Sequence, residues 1–584
     1  MKEVRKVGII GIGPRGGYSF EKLILELVKR NSLYNIHFSL FEATGDFGNG
    51  QVYNLHQNSS NWINITERIL KLEQREAIDT NNLKIVSFPS YHNWANKGFN
   101  TLSNDTIDTY PPRAKIGNYL SQRFQSLAKP LIQSNIVALY KEEVKKVKLL
   151  NNNKIKITTN TKVYKKFDEV LLTIGHQYTE LSQQILEWDK FANDKENLNL
   201  FKSPYPTSNY LYHKNLNNES IIGIRGFGLA MIDVVRAIAG KFGTFKILDE
   251  KTQASTYKME EEIASKFVAF SLDGLPPVPK PLNAQIDKWF KPSEGSILRF
   301  ENQIGNKQIQ EEAQSPQFLI KAFAPVAADI YLQLPYAINP QNLSKAAIEK
   351  LIINWLEDQK NEHELIIPRK QSAKKSMESF VEMANGKLAI SLDYCIGQVW
   401  RYCQPSIYKQ LSFNACSDSV FAEIIALDES TKRYSYGPPV ESIQQLLALV
   451  DAGVLNLDMV YDPNIKLTKE GWRFLVSDKS ITATIMIDSV LDSPNIKSVR
   501  SPIVKNMLVD DLIKTVHDNL GVKTDEYGYL ISKNMDKKIP IALLGRLAKG
   551  TIIGVDAILE CFGSRPQQWA KKASANHINW LNKN

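Results

Sequence analysis

The first 42 residues alternate between a strand pattern and a helix pattern. Residues 6–12, KVGIIGI, are an apolar and β-branched run, which is typical of a buried parallel strand. Residues 17–30, GYSFEKLILELVKR, carry an apolar side chain every three or four positions with charges between them, which predicts an amphipathic helix. Residues 36–42, IHFSLFE, predict a second strand that ends at Glu42. The segment therefore predicts a βαβ unit.

A glycine-rich turn joins the first strand to the helix. Gly11 permits the tight turn, Gly13 lets the backbone approach a pyrophosphate, and Gly16 lets the helix pack close to the strand. Pro14 lies where the helix begins, and its missing N–H removes no hydrogen bond there. The turn predicts a site at which the first amides of the helix receive the phosphates of a dinucleotide.

Glu42, at the end of the second strand, indicates which dinucleotide. A carboxylate at this place accepts hydrogen bonds from both hydroxyls of an adenosine ribose and repels a 2′-phosphate, so it favours FAD or NAD over NADP. The alternative is a nucleotide-free α/β domain that happens to contain a glycine turn. Strand, helix and acid occur together, and that combination favours binding.

A second strand, turn and helix pattern spans residues 219–240, ESIIGIRGFGLAMIDVVRAIAG. Its turn predicts a second nucleotide site at Gly226, Gly228 and Leu229, but Met231 stands where a third glycine would allow close packing. Two interpretations stay open here. The turn binds NAD(P)H, or it belongs to a degenerate half that keeps the fold and has lost its ligand.

Two arginines of this segment are further candidates. Arg225 and Arg236 are placed where they could meet a phosphate, although exposed arginines of a helix usually contact only water. Neither residue chooses between NADH and NADPH.

From about residue 245 to residue 480 the alternation of strands and helices is lost. Helical stretches such as residues 343–362 predict a substrate or cap domain there. Within residues 394–408, YCIGQVWRYCQPSIY, Trp400 and Arg401 are candidates for a substrate pocket, as a wall and a carboxylate-binding fork. A buried helix with a surface arginine is the favoured alternative.

Composition narrows the class of protein. The chain has 584 residues, which is too long for one core, and 72 Lys and Arg against 62 Asp and Glu, a net charge of +10 that forms no dense tract. Its 4 cysteines contain no C-x-x-C pair, so neither a disulfide framework nor a dithiol site is supported. We find no apolar leader, and the most apolar stretch, residues 221–240, contains charges. These features predict a cytoplasmic protein with no nucleic-acid or membrane partner.

Several motifs occur in a fixed order along nearly the whole chain. They are GDFGNGQVYNLHQNSSNWINITER (45–68), YPPRAKIGNYL (110–120), DEVLLTIGH (168–176), DGLPPVPK (273–280), YGPPVESIQQLLALVDAG (436–453), DSVLDSP (488–494) and LLGRLAKGTIIGVDAILECFG (543–563). Together with the G-x-G-P-R-G turn, this order resembles the bacterial FAD/NAD(P)-binding family that includes the aspartate N-monooxygenase of nitrosuccinate formation and a flavin-dependent urate hydroxylase.

The resemblance implies FAD as the cofactor of the first turn. The residues expected to bind it are Gly11, Gly13, Pro14, Arg15, Gly16, Glu42, Gly50, Tyr53, Asn64, Arg113, Thr173, Gly175, Gly545, Arg546, Gly550 and Thr551. His176 is expected to cap or pack rather than to act as a base. No catalytic side chain and no metal ligand is predicted.

The predicted fold class is α/β, with two Rossmann-like dinucleotide-binding domains, a discontinuous FAD domain and a largely helical middle insertion. Residues 1–215 are predicted to form the first part of the FAD domain, residues 216–480 the NAD(P)-binding region with its insertion, and residues 481–584 the return segment that completes the FAD domain.

The function implied by the resemblance is an FAD-dependent, NAD(P)H-consuming monooxygenase that uses O₂ to hydroxylate a small nucleophilic substrate, with the amine of an amino acid such as aspartate as the candidate. Two alternatives remain. One is an NAD(P)H-dependent flavin oxidoreductase or oxidase that oxygenates nothing, and the other is a non-catalytic flavin-binding protein that responds to redox state.

Overall fold

The structure, a computed structural model, describes residues 3–80, 83–99, 101–260, 266–339, 341–492, 494–535 and 537–584. Its strands are β1 (Arg5–Ile10), β2 (Ile36–Phe41), β3 (Ile78–Thr80), β4 (Leu83–Ile85), β5 (Val137–Tyr140), β6 (Val144–Leu149), β7 (Ile155–Thr159), β8 (Val163–Phe167), β9 (Glu169–Leu172), β10 (Asn199–Phe201), β11 (Ile222–Arg225), β12 (Gly243–Asp249), β13 (Ala254–Met259), β14 (Phe267–Phe270), β15 (Leu455–Asn456), β16 (Asn464–Thr468), β17 (Gly471–Val476), β18 (Lys479–Ala483), β19 (Ile485–Asp488), β20 (Tyr529–Ile531) and β21 (Lys538–Leu543).

Its α-helices are α1 (Pro14–Lys29), α2 (Tyr91–Trp94), α3 (Arg113–Gln133), α4 (Gln183–Asn193), α5 (Ser208–Leu211), α6 (Leu229–Phe242), α7 (Ala284–Asp287), α8 (Glu294–Ile304), α9 (Lys307–Glu312), α10 (Gln317–Gln333), α11 (Lys345–Glu357), α12 (Ala373–Ala384), α13 (Leu392–Leu411), α14 (Asp418–Ser435), α15 (Val440–Asp451), α16 (Pro502–Val509) and α17 (Ser564–Leu581).

The first sheet has six strands in the order β20-β21-β9-β1-β2-β5. The strands β21, β9, β1, β2 and β5 are parallel, and β20 pairs antiparallel at the edge. Helices α1, α3 and α17 contribute to the core on one face, and the antiparallel hairpins β6 to β8 with α16 contribute to the core on the other. Strands from both ends of the chain therefore form one sheet, which is the discontinuity that defines the predicted fold class.

The second sheet has five parallel strands in the order β10-β19-β11-β14-β15. Helix α6 follows β11 and buries nearly all of its residues, so it packs as an interior helix of this unit. The turn between β11 and α6 is the second glycine motif. Two parallel sheets, each with a glycine turn after a central strand, confirm the α/β fold with two dinucleotide-type domains.

The second sheet includes strands that lie outside the predicted limits of its domain, residues 216 and 480. Strand β10, residues 199–201, and strand β19, residues 485–488, pair with each other in the second sheet. The chain therefore enters the second unit before residue 199 and leaves it after residue 488. These limits could not be predicted from the sequence, because β10 is an edge strand of three residues and its partner strand is almost 300 positions away.

Helices α7 to α15 occupy the chain between β14 and β15, as predicted for a largely helical insertion. Their apolar faces share one core with α6 and the second sheet. Among the described residues, no helix combines the length and apolar character needed to cross a membrane.

Candidate functional site

A cavity of about 1580 Å³ lies where the carboxyl ends of the two parallel sheets meet. Residues that follow β1, β2, β9 and β21 line one wall, and residues that follow β11, β14 and β19 line the other. Ligands of open α/β sheets bind at the carboxyl ends of the strands, because the loops there are free to vary and the helix N-termini point the same way. This cavity is the candidate site.

The backbone of the first turn requires glycine at two positions. Gly11 has a φ of +88°, and a Cβ there would lie 2.5 Å from the carbonyl oxygen of Thr173. A Cβ on Gly16 would lie 2.1 Å from the carbonyl oxygen of Gly11. Gly16 therefore lets α1 pack on β1, as its place in the motif predicts, and it does not line the cavity.

Gly13 and Gly50 bring two loops together beside the start of α1. A Cβ on Gly50, whose φ is +63°, would lie 3.0 Å from the Cα of Gly13. Both residues line the cavity. Helix α1 begins at Pro14 and no side chain caps it, so its first amides are available to an anion in the cavity.

Glu42 lies at the cavity wall and is already held in place by the turn. Its Oε2 accepts a hydrogen bond from the Ile12 amide at 2.8 Å, and its Oε1 accepts one from the Thr44 hydroxyl at 3.1 Å. Burial raises the pKa of this carboxyl, and the bonds from Ile12 and Thr44 lower it in part. The Thr44 amide also donates to Oε1, at 3.4 Å, so these three bonds leave about one of the four acceptor positions of the carboxylate for a ribose hydroxyl.

Arg15 ties the first turn to the end of the chain. Its guanidinium donates to the carbonyl oxygens of Val555 and Glu560, at 3.2 and 3.1 Å. A Cβ on Gly545 would lie 3.3 Å from the Arg15 Nε. The C-terminal segment is thus fixed over the N-terminal turn, and both parts line the cavity.

Arg113 connects the two walls. Its guanidinium donates to the Asp233 carboxylate of α6 at 2.8 Å and to the Tyr205 hydroxyl at 3.1 Å. Burial raises the pKa of Asp233, and the charge of Arg113 opposes that effect. This ion pair joins α3 to α6, and Arg113 also lines the cavity, so its role in binding FAD stays a prediction.

In the second glycine turn, Gly228 has open space beside its Cα, whereas the place of the third glycine is taken by the side chain of Met231. Gly226 has a φ of +108°, and Gly228 at the start of α6 has no other heavy atom within 4 Å of the place of a Cβ. Met231, which stands where a third glycine would be, is fully buried, so α6 accommodates it in the core. Gly226, Gly228 and Leu229 all line the cavity.

Arg236 is buried, contrary to the expectation for an arginine of a surface helix. Only 5% of it is exposed, its Nε donates to Gln445 at 2.7 Å, and its guanidinium lies 3.7 Å from the centre of the Trp62 ring. Burial lowers its pKa to about 10. Arg225 instead forms an ion pair with Asp488 at 3.0 Å.

Most residues predicted for the two nucleotide sites meet at this cavity. The lining includes Gly11, Gly13, Pro14, Arg15, Glu42, Gly50, Tyr53, Asn64, Arg113, Thr173, Gly175, Gly226, Gly228, Leu229, Gly545 and Arg546. Gly550 and Thr551 do not line it. Gly550, with a φ of +122°, packs on Leu520, and the Thr551 hydroxyl donates to the Val522 carbonyl at 3.1 Å.

Trp400 and Arg401 lie away from the cavity. Trp400 is fully buried in the helical core, where its indole N–H donates to Asp428 at 3.0 Å. Arg401 forms an ion pair with Asp287 of α7. Trp400 therefore belongs to a buried helix, which was the favoured alternative to a pocket wall. Arg401 binds a carboxylate of the protein itself and not one of a substrate in this cavity. Ser493 of the DSVLDSP motif lies outside the described residues.

Sequence reasoning missed an ionic cluster that joins α14 to the C-terminal segment. Asp556 accepts from Lys549 at 2.9 Å, from Lys432 at 2.6 Å and from Arg546 at 3.3 Å. Burial raises the pKa of Asp556, but the three cations outweigh burial and hold that pKa well below its ordinary value. No short motif marks this cluster, because its members come from two distant segments.

A second missed group is Glu560, which lies beside the cavity residues Tyr53 and Cys561. Its Oε2 is buried without a hydrogen-bond partner in the described part of the chain. Burial raises the pKa of Glu560 to about 7, and the charge of Arg15 opposes the rise.

The donor set fits dinucleotides and does not fit a metal. Gly175 and Gly228 leave the cavity space beside them empty of other heavy atoms within 4 Å, so the backbone can approach a ligand there. Among the residues that the structure describes, no group of three or more His, Cys, Asp or Glu is arranged to hold a metal ion. The four cysteines are unpaired.

Comparison with known proteins gives one family match. Residues 8–177 match the model of a family described as FAD-NAD(P)-binding. No curated protein matches the chain significantly. The match covers β1 to β9 with the first glycine turn, and it confirms the cofactor prediction for this segment at the level of that description.

Solved flavoenzymes are similar over nearly the whole length. Cyclohexanone monooxygenase with bound ε-caprolactone is 12% identical, with a TM-score of 0.44, over 99% of this chain and 89% of that one. OTEMO in complex with FAD and NADP is 11% identical, with a TM-score of 0.44, over 100% of this chain and 87% of that one.

Proposed function

We propose that this protein is an FAD-dependent, NAD(P)H-consuming monooxygenase that hydroxylates a small nucleophilic substrate, with the amine of an amino acid such as aspartate as the candidate. One observation carries the proposal: two glycine turns, one from each parallel sheet, open into the same cavity. Its volume of about 1580 Å³ exceeds the range of about 300–1,000 Å³ that is usual for one small-molecule site. It therefore has room for two ligands.

The first wall is the proposed FAD site. The amides at the start of α1 and the bare backbone of Gly13 hold the pyrophosphate, and Glu42 accepts the ribose hydroxyls. FAD, when bound, supplies the redox and oxygen chemistry, for which side chains have no equivalent. The protein's own residues would bind FAD, orient it toward the second ligand and limit the access of water to the flavin.

The second wall is the proposed site of the nicotinamide nucleotide. Gly226 and Gly228 offer the same kind of turn, and the start of α6 offers its amides. The Arg113 and Asp233 ion pair holds this wall against the first, so two bound nucleotides would share one cavity. A shared cavity allows the nicotinamide and the flavin to lie close enough for hydride transfer.

Glu560, which adjoins the lining residue Cys561 without lining the cavity itself, is a proposed proton-exchanging group behind the first wall. Its Oε2 is unpaired, and its raised pKa of about 7 lets it hold or release a proton at neutral pH. Tyr53 and Cys561, which interact electrostatically with it, line the cavity.

The test begins with the spectrum of the purified protein. We expect bound FAD whose absorbance bleaches under anaerobic conditions when NADH or NADPH is added. With O₂ and an accepted substrate, isotopically labelled oxygen should enter the product. Consumption of nicotinamide nucleotide that no compound in a broad panel of amines couples to hydroxylation would instead indicate a reductase or oxidase. A flavin that neither nucleotide bleaches would indicate a non-catalytic flavin protein.

A further inference from the structure

The two glycine turns repeat one backbone plan. The amide of Gly11 donates to the carbonyl oxygen of Phe41 at 2.8 Å, and the amide of Gly226 donates to that of Phe270, also at 2.8 Å. In both units the strand before the turn is parallel to the strand on which this carbonyl lies. The residue after Phe270, Ser271, therefore occupies in the second unit the position that Glu42 occupies in the first.

The carboxylate of the second unit is displaced along the chain by two residues. Ser271 donates its hydroxyl proton to Oδ1 of Asp273 at 3.0 Å, and the Leu275 amide donates to the same oxygen at 3.2 Å. Oδ2 has no hydrogen bond within the described part of the chain. Asp273 is exposed and lines the cavity. The strand end thus presents a fixed carboxylate with one free oxygen.

A second carboxylate and two arginines lie near this end of the cavity. The Asp462 amide donates to the carbonyl oxygen of Ser271 at 2.9 Å, and the exposed Asp462 also lines the cavity. Arg225 is neutralised by Asp488. Arg433 donates its Nε proton to the Pro276 carbonyl at 2.8 Å, and its guanidinium lies over the Tyr434 ring, 5.1 Å from its centre.

Two exposed apolar side chains flank the same strand end. Leu272 is 83% exposed and Tyr461 is 67% exposed, and Tyr461 pairs through its backbone with Ser271. Large apolar groups left open to solvent beside a ligand cavity provide surfaces on which a planar base can stack. Leu272 precedes Asp273 in the chain and lines the cavity, so its side chain is available to the base of a nucleotide whose ribose binds Asp273.

We propose that the second glycine turn binds NADH in preference to NADPH and that Asp273 is the residue that determines this specificity. The free oxygen of Asp273 accepts the hydroxyls of an unphosphorylated ribose. A 2′-phosphate at this strand end would meet the negative charge of Asp273 and of the neighbouring Asp462, which costs binding free energy. The inference rests on the proposed function, since it names the hydride donor of the same site.

The decisive measurement is binding of two non-reactive fragments to the FAD-loaded protein by calorimetry. ADP-ribose should bind at least about tenfold more tightly than 2′-phospho-ADP-ribose, the effect of one unfavourable charge contact. The variant Asp273→Asn should reduce that ratio by about tenfold. Asp79→Asn, which changes an exposed carboxylate in the β3–β4 hairpin, is the matched control and should leave the ratio unchanged.

Equal or tighter binding of the phosphorylated fragment by the wild-type protein would overturn the inference, as would an unchanged ratio in Asp273→Asn. Its failure is separable from failure of the proposed function. A flavin that NADPH bleaches faster than NADH keeps the oxidoreductase and rejects the specificity. Selective binding of ADP-ribose by a protein whose flavin neither nucleotide bleaches keeps the specificity and rejects the oxidoreductase.

Discussion

At position 11 the chain has a φ of +88°, and the carbonyl oxygen of Thr173 occupies the space beside the Cα. Two constraints therefore act on one residue: an unusual backbone angle and the close approach of β9. Both come from the way β1 and β9 carry their turns to the same edge of the sheet. The glycine that a nucleotide needs is thus also one that the fold needs.

The variant Gly11→Ala tests this double role. We expect its free energy of unfolding to fall by at least about 1–3 kcal/mol, because the alanine is strained and contacts Thr173. We also expect purified protein with less bound flavin. The measurements are thermal denaturation and flavin absorbance per protein. Gly295→Ala, in helix α8 where a Cβ meets no atom within 4 Å, is the control and should leave both unchanged or raise stability slightly. Full flavin content in Gly11→Ala would contradict the assignment of this turn.

At the scale of elements, charge joins helix α14 to the C-terminal segment. Asp556 forms ion pairs with Lys549, Lys432 and Arg546. Both lysines also form ion pairs with Glu429. Lys549 is only 3% exposed, so this contact is largely removed from water. Removing one member of a buried cluster leaves an unpaired charge behind, which is more costly than losing an exposed pair.

The variant Asp556→Asn should therefore lower the free energy of unfolding by about 3–5 kcal/mol at neutral pH. The pKa of Asp556 is lowered in the folded protein, so its contribution is complete above the ordinary pKa of Asp, about 4, and is lost as the pH falls below it. The stability of the wild type should fall with pH in that range more steeply than that of the variant. Denaturant titrations at several pH values measure the free energy of unfolding of the wild type and of the variant, and how each depends on pH.

Asp458→Asn is the control for this prediction, because Asp458 pairs with Lys479 at the surface at 2.9 Å. An exposed pair of this kind contributes about 0–1 kcal/mol. Parallel pH profiles for the wild type and Asp556→Asn would show that the cluster does not act as described.

At the scale of the whole molecule, the first domain depends on the two ends of the chain. Helix α17 packs on α1, and its Trp569 is fully buried in the same core as β1 and β2. Arg5 donates to the carbonyl oxygen of Ala573 at 3.3 Å, so β1 is also bonded to α17. The glycine turn is therefore held partly by the last 21 residues, positions 564–584.

Trp569→Ala should destabilise the protein by about 3–5 kcal/mol, because it leaves a cavity under the helix that carries the phosphate-binding turn. Flavin should dissociate at a lower temperature than in the wild type, which release of flavin fluorescence during heating will report. Lys571→Ala, at an exposed position of the same helix, should change neither the free energy of unfolding nor the temperature at which flavin dissociates. Unchanged flavin release in Trp569→Ala would mean that the C-terminal helix does not support the site.

The motifs that could be predicted are those whose parts lie close together in the sequence. The turn from Gly11 to Gly16 and the acid Glu42 belong to one βαβ unit, and the second turn at Gly226 is equally local. Such patterns are readable because each residue has a task set by its neighbours. Trp400 and Arg401 form no such unit, and their composition alone did not distinguish a pocket wall from a packed helix.

The amino-acid sequence by itself determined two strand, turn and helix units, the acid of the first, and the helical character of the middle region, because hydrophobic period and glycine position act over a few residues. Only the tertiary structure decided that β10 and β19 belong to the second sheet, that Arg113 pairs with Asp233 beside the cavity, and that Ser271 stands where Glu42 stands in the first unit. These relations depend on strand pairing and packing between residues that are distant in the chain, and local periodicity does not record them.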